Sequence, residues 1–413
     1  MELHGADEGS ERRFSAYIGK LARVIGHADR IAPLRDYCSG LVMPGERKSV
    51  EPMAAVTAPA RVSAQHQSLL HFVGESPWSD EKVLGQVRDE VLPAMECHGP
   101  IEAWILDDTG FPKHGKHSVG VARQYCGQLG KQDNCQAAVS LSLANHHASL
   151  PVAYRLYLPK DWASDKKRRK QAGVPTDIKF KTKPKIAADQ LRWACDSGLP
   201  RGVVLMDSGY GADAELRANT TALGLTYVAG IRSNTLVRPT GDAQQPVSVE
   251  KLALGLPKRA WQTIEWREGT SGMLASRFAR VRVHVAGGGK RRVESRSEEW
   301  LLVEWPKEEK KPTKYWLSTL PDDIAFSRLV DTGKLRWRIE RDYLELKQEV
   351  GLGHYEGRGW RGFHHHATLC IAAYGFLISE RETFPPSRPR SKNVFPQSAV
   401  PDGWRPRGAA APA

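Results

Sequence analysis

Two spacings of apolar residues divide the chain. Over residues 14–97 they recur every three or four positions, as in FSAYIGKLARVIG and HQSLLHFVGESPWSDEKVLGQVRDEVLPAM, which predicts amphipathic helices. A Gly/Pro-punctuated stretch from Pro44 to Pro59, carrying Arg47 and Lys48, lies between them. Ser79-Asp80-Glu81 ahead of Val83 reads as a helix start. From Ile101 the pattern shortens. IEAWIL, QAAVSLSLAN, VAYRLYL, VVLM and LTYVAGI read as strands, and IAADQLRWACDSG and ADAELRANTTALG read as helices. This alternation predicts a mixed α/β layer. Between about Asn234 and Leu320 the helical signal fades, and RFARVRVHVA, EEWLLVEW and TKYWLST predict a β-rich insertion. Helical spacing returns in FSRLVDTGKLRWRIERDYLELKQEV and ATLCIAAYGFLI. From about Glu382 a Pro-, Arg-, Ser- and Ala-rich stretch without period predicts a disordered tail.

Composition changes this picture in one respect. A chain of 413 residues suggests two or three packed units, and its 40% hydrophobic and 26% charged residues are ordinary for a globular protein. The balance of charge is not: 60 Lys and Arg against 47 Asp and Glu give +13, which favours a polyanionic partner through counterion release. Lys113–His117, Lys166–Lys170 and Lys179–Lys185 are the expected backbone-phosphate contacts, although such runs are more often solvated surface. The six cysteines form no C-x-x-C pair, which removes zinc-finger and redox-motif readings. No run approaches the ~18 apolar residues of a membrane span, and the N-terminus has no signal-peptide core. A cytoplasmic, nucleoid-associated protein with no membrane partner is expected. His364, His365 and His366, consecutive on a helix, point in different directions and are not expected to share one ion.

Carboxylates carry the candidate chemistry. Mg²⁺ and Mn²⁺ prefer oxygen ligands, and two-metal phosphodiester chemistry needs acids on rigid elements. W-I-L-D-D-T and V-L-M-D-S-G each place an Asp after a buried run, although a strand-end Asp commonly just starts a turn. In K-L-R-W-R-I-E-R-D-Y-L-E-L-K, Arg336, Glu340, Tyr343 and Lys347 fall within ~60° of one another at ~100° per residue. That stripe presents an acid between two cations, or an ordinary solvated helix face with an i,i+4 pair.

Together these segments resemble the DDE-type transposases of bacterial insertion sequences. Arg336, Glu340 and Lys347 match the last three members of the Y-x2-R-x3-E-x6-K signature of one branch; its Tyr position falls on Gly333. DDTGFPKHGKHSVGVARQYCGQLGKQDNCQ, RKSVEP, LMDSGYG and GWRGFHHHATLCIAAYGFL add a closer subfamily resemblance over residues 30–380. The resemblance implies an α/β, ribonuclease-H-like core interrupted by a β-rich insertion, with a helical N-terminal domain. The expected divisions are a helical DNA-end-binding domain at 1–98, core at 99–233, insertion at 234–322, core helices at 323–381 and tail at 382–413.

It also implies two Mg²⁺ ions, replaceable by Mn²⁺, held by Asp108, Asp207 and Glu340 as catalytic and metal-binding residues. Successive strand residues face opposite ways, so only one of Asp107 and Asp108 reaches the metals. The D-T pattern favours Asp108, and direct succession to the apolar run favours Asp107. Arg336 and Lys347 are the implied phosphate contacts. Trp316, chosen over Trp300 and Trp305, is the candidate to stack on a flipped base. The implied activity is hydrolysis and strand transfer at terminal inverted repeats, on double-stranded transposon-end and target DNA, by a homodimer. The rival readings are a DNA-binding regulator without catalysis and a nuclease without strand transfer.

Overall fold

In the computed structural model residues 3–240, 245–269, 272–286 and 298–385 are described. The helical spacing of the first hundred residues yields α1 (Leu3–Ala22), α2 (Ile31–Val42), α3 (Val50–Thr57), α4 (Val62–Gly74) and α5 (Asp80–Glu96). Ser79 starts α5 because its hydroxyl accepts from Lys82 N, satisfying a donor that the first turn leaves free. Strands then follow: β1 (Ala103–Pro112), β2 (Ala122–Cys126), β3 (Lys131–Ala144) and β4 (Ser149–Leu156). The short α6 (Lys160–Ser164) and α7 (Lys166–Gln171) precede α8 (Lys183–Asp196). β5 (Val203–Met206), α9 (Ser208–Gly211), α10 (Ala214–Ala222) and β6 (Tyr227–Ile231) complete this half.

In the sheet order β4-β3-β1-β5-β6 the β1–β5 and β5–β6 pairs are parallel and the β3–β4 and β1–β3 pairs are antiparallel. This arrangement is consistent with the ribonuclease-H-like core. β1, β3 and β5 read as apolar runs because helices cover both of their faces.

The segment expected to be an insertion forms β7 (Leu236–Pro239), β8 (Val247–Ser248), α11 (Val249–Leu254), β9 (Gln262–Gly269), β10 (Gly272–Val285), β11 (Glu299–Trp305) and β12 (Lys314–Ser318). It does not make a sheet of its own. β12 pairs with β6, and β11, β10, β7 and β8 follow, so one twelve-stranded sheet runs through the core and this segment.

The helical stretch after it is broken into α12 (Phe326–Lys334) and α13 (Trp337–Gln348), and α14 (Trp360–Thr383) closes the described chain. Residues 386–413, most of the expected tail, lie outside the described residues. α14 packs among the N-terminal helices, with Tyr17 Oη donating to Ala372 O at 2.9 Å and Phe14 edge-on to Phe376 at 5.0 Å. These helices and α14 therefore share one hydrophobic core.

The three histidines of α14 look in different directions: His364 to Trp360 O, His365 to Val73 O and Trp78 O, and His366 to Tyr37 and Gly351 O. Burial lowers the pKa of His365 and His366 to about 4, so both are neutral core residues. Among the described residues no helix is long and apolar enough to cross a membrane.

Candidate functional site

Where β5 ends at Met206, β1 continues for six residues. β1 and β5 run in parallel register, Ile105 beside Leu205 and Leu106 beside Met206, so the next position brings Asp107 level with Asp207. Residues in register point to one face. Ala103, Ile105 and Leu205 on that face pack with Leu335, Ile339 and Tyr343 of the α12–α13 region. Trp104, Leu106, Val204 and Met206 face the other way, toward Ile186, Ala187 and Leu191 of α8. Alternation thus puts Asp107 and Asp207 on the face that α13 covers and Asp108 on the opposite one.

Asp107 is 14% exposed, and its Oδ2 accepts from Arg336 Nη2 at 2.8 Å. Burial, opposed by Arg336 and reinforced by the nearby charges of Asp207 and Asp108, pushes its pKa up to about 7. The guanidinium is itself held above its usual pKa, because Asp107, Asp207 and Glu340 outweigh its desolvation. Arg336 Nε has no hydrogen-bond partner among the described residues.

Asp207 is placed by its own turn: its Oδ1 accepts from Gly209 N at 2.9 Å and Tyr210 N at 3.0 Å, capping α9. This explains the D-S-G-Y-G sequence. α9 lies so close to β6 that a Cβ on Gly211 would stand 2.1 Å from Gly230 O, and one on Gly230 would stand 2.9 Å from Ser208 N. Only paired glycines permit that approach.

Asp108, preferred from the sequence as the first acid, is engaged elsewhere. Lys183 Nζ donates to its Oδ2 at 2.6 Å and Tyr210 Oη donates to its Oδ1 at 3.1 Å. Lys183, expected to touch a DNA phosphate, is thus an ion-pair partner inside the protein. The parity of β1 is the physical reason for this placement. D-T fixed a local pattern, whereas the face is set by pairing with β5, about a hundred residues away.

Glu340 has a side chain 74% exposed, 3.5 Å from Arg336 Nη1. Among the described residues no three acids, histidines or cysteines stand close enough together to hold a metal ion. The structure therefore brings Asp107 and Asp207 together and sets Glu340 beside them on the far side of Arg336.

The other residues of the stripe have diverged in role. Tyr343 is buried, its hydroxyl 2.6 Å from Ser140 Oγ. Lys347 Nζ donates to Gly110 O at 2.8 Å and Gln128 Oε1 at 3.2 Å, and burial lowers its pKa. Gly333 replaces the signature Tyr because α12 touches the sheet there: a Cβ would meet Val228 Cγ1 at 3.3 Å.

Trp316 is only 9% exposed, its ring facing the ammonium of Lys334, which also lies over Trp266 at 4.2 Å. Asp342 is a residue the sequence reading missed. It is buried on α13, accepts from Ser149 Oγ at 2.6 Å and Tyr374 Oη at 2.9 Å, and is raised by burial to about 7. It ties the Glu340 helix to β4 and α14. The local signal was slight, an acid among apolar neighbours on the inward side of an amphipathic helix.

Residues 20–273 match the model of the DDE superfamily endonuclease family, and residues 183–376 match that of the transposase DDE domain. The first match includes Asp107 and Asp207, and the second Asp207 and Glu340. A probable transposase for insertion sequence element IS701 from Microchaete diplosiphon is 36% identical over 172 residues. That stretch is 41% of this chain and 42% of the relative, so well under two thirds of the relative's length is matched.

Proposed function

The chain belongs to the DDE superfamily of endonucleases, and on that premise we propose that it is an insertion-sequence transposase whose three acids are Asp107, Asp207 and Glu340. The observation that carries this reading is the pairing of Asp107 with Asp207 on the sheet face covered by the Glu340 helix.

The donor set fits a hard divalent cation. It offers carboxylate oxygens only, and the pKa of Asp107 is pushed up chiefly by burial, with Asp207 and Asp108 adding to the rise, so a bound cation would be matched by acids that now repel one another. When bound there, a pair of Mg²⁺ or Mn²⁺ ions supplies activation of the attacking oxygen and stabilisation of the leaving one. The strands fix Asp107 and Asp207, while Glu340 is the acid that α13 contributes. Asp107 must shed its proton to serve as a ligand, and Arg336, 2.8 Å away, favours the charged form. Arg336, a phosphate contact implied by the resemblance, pairs with Asp107 here and lies 3.5 Å from Glu340. Asp108, neutralised by Lys183, acts as a brace for β1 rather than a ligand. The substrate DNA is the terminal inverted repeat of the element, bound by a dimer, with strand transfer to target DNA as the second step.

The test is Mg²⁺-dependent cutting and joining of labelled end DNA by the wild type and by Asp107→Asn, Asp108→Asn, Asp207→Asn and Glu340→Ala. Loss of at least a hundredfold for Asp107, Asp207 and Glu340 with binding intact, and a smaller loss for Asp108, is expected. The reverse ranking of Asp107 and Asp108 would overturn the acid assignment. Tight binding by a wild type that neither cuts nor joins with Mg²⁺ or Mn²⁺ would make the chain a regulator.

A further inference from the structure

The chain between Asp207 and Glu340 reaches back to the helix on which Glu340 stands. β9 lies off the main strand order, paired with β10, and packs on α12. Its ladder has a bulge: Arg267 is opposite Leu274 and Glu265 opposite Ala275, which leaves Trp266 as the extra residue. In a regular strand Trp266 and Arg267 would face opposite sides. Here both turn to the α12–α13 side. Trp266 makes a T-shaped contact with Phe278 at 5.5 Å and takes the Lys334 ammonium at 4.2 Å. The Arg267 guanidinium lies over the Trp337 ring at 4.0 Å.

The start of α13 needs such a contact. Glu340 sits one turn into the helix with a side chain 74% exposed, so packing of its own does not fix it. Its position follows from the backbone of that turn, which Arg336 opens without a side-chain cap. Two sides of the turn are held by Ile339, buried on the sheet, and by Arg336, paired with Asp107. The third side is the half-buried Trp337, whose ring Arg267 and Arg338 cover. Arg338 belongs to α13 itself, so of these two cations only Arg267 ties the ring to another element. The Arg267 Nε is buried with no hydrogen-bond partner among the described residues, which leaves the ring face as its compensation. Burial lowers the pKa of Arg267, and the charge of Glu340 opposes that fall, so the guanidinium lies within the field of the acid.

We infer that Arg267 is a positioning residue for Glu340: stacked on Trp337, it clamps the first turn of α13 to β9 and so sets where the carboxylate stands relative to Asp107 and Asp207. The inference rests on the reading of Glu340 as the third acid. It gives the β-rich segment a part in the acid site of the free protein, apart from any contact with DNA.

The experiment compares the full-length wild type with Arg267→Ala, Arg267→Lys, Trp337→Ala and the double variant Arg267→Ala/Trp337→Ala. Backbone hydrogen exchange is followed in the metal-free protein, and end-DNA affinity is measured without divalent ions. Single-turnover cutting is then timed across a Mg²⁺ series. In Arg267→Ala, exchange should quicken in the first half of α13 and stay as it was in α14. DNA affinity should be unchanged, while cutting at saturating DNA slows about tenfold and needs more Mg²⁺ to reach half its maximum. Arg267→Lys should recover part of the rate, because an ammonium also sits on an indole face. The double variant should be no slower than the slower single one, because both changes remove the same contact. Multiplied losses in the double variant, or exchange quickened equally through the whole chain, overturn the inference. So does weakened DNA binding with an unchanged cutting rate, which would make Arg267 a DNA contact. A wild type that binds end DNA but cuts none overturns the reading of the acids and this inference with it, an outcome seen before any variant is made.

Discussion

Asp107 and Asp108 are adjacent, chemically identical and half-buried, yet their surroundings give them different work. Asp108 has an ammonium and a phenol; Asp107 shares one guanidinium with Asp207 and Glu340 in a drier place. The difference has a thermodynamic consequence. With a folded pKa near 7 against an ordinary 3.8, Asp107 holds a proton in the native chain that the unfolded chain has released. Its contribution to stability is therefore present at low pH and is lost as pH rises through about 4 to 7. Without divalent ions, the unfolding free energy of the wild type should fall by up to about 3 kcal/mol more than that of Asp107→Asn between pH 5 and pH 8. Urea titrations at the two pH values measure it. Asp342 titrates in the same window but is present in both proteins, so the difference isolates Asp107. Parallel profiles would mean that Asp107 is already charged. Mg²⁺ should shrink the difference, because a bound cation favours the carboxylate. The sequence revealed the acids and their strand-end setting through local hydrophobic runs. It did not reveal which acid faces Asp207, because that depends on a register set by distant β5.

At the scale of elements, the break between α12 and α13 was not legible either. Apolar spacing continues across Lys334–Arg336, and the nearest helix-weakening residue, Gly333, lies inside α12 rather than after it. What sets the geometry is a tertiary pin. Lys334 Nζ donates to both Glu304 oxygens at 2.6 Å, with Trp266, Phe278 and Trp316 around the ammonium. The pin joins α12 to β11 just before Arg336 enters the site. Removing one partner of a buried pair leaves an uncompensated charge, so Lys334→Met should cost about 3 kcal/mol in chemical unfolding. Adding Glu304→Leu should recover most of that stability while leaving DNA cutting impaired, because α12 has lost its anchor. A double variant as unstable as Lys334→Met would show that the aromatic contacts, not the ion pair, carry the cost. The individual β-strands of this region were readable from their alternation, as were the strands of the core. Their merger into one sheet was not, since strand order is a long-range property.

The excess of positive charge over the whole molecule becomes informative once internal pairs are discounted. Lys183 is spent on Asp108, Lys181 on Asp189 and Lys334 on Glu304, so these cations are not available to a polyanion. α7 differs: Lys166, Lys167 and Lys170 are exposed, and Arg168 Nη2 donates to Lys116 O, setting the helix against the basic loop that follows β1. A phosphate backbone running past the acid pair would meet this rim. Each phosphate neutralised contributes about −0.9 to the slope of log affinity against log salt. Replacing Lys166, Lys167 and Lys170 by Ala should therefore weaken end-DNA binding and reduce the magnitude of that slope by up to about three. Stability should change little, as surface substitutions usually do. Lys183→Ala is the control of opposite character. It should leave the slope nearly unchanged but disturb cutting, because it strips Asp108 of its counter-charge and adds an unpaired acid beside Asp107. Fluorescence anisotropy across a salt series, with cutting measured in parallel, separates the two behaviours. A slope unaffected by the triple substitution would place the DNA on another face of the sheet. The path from α7 past the acids would then have to be abandoned.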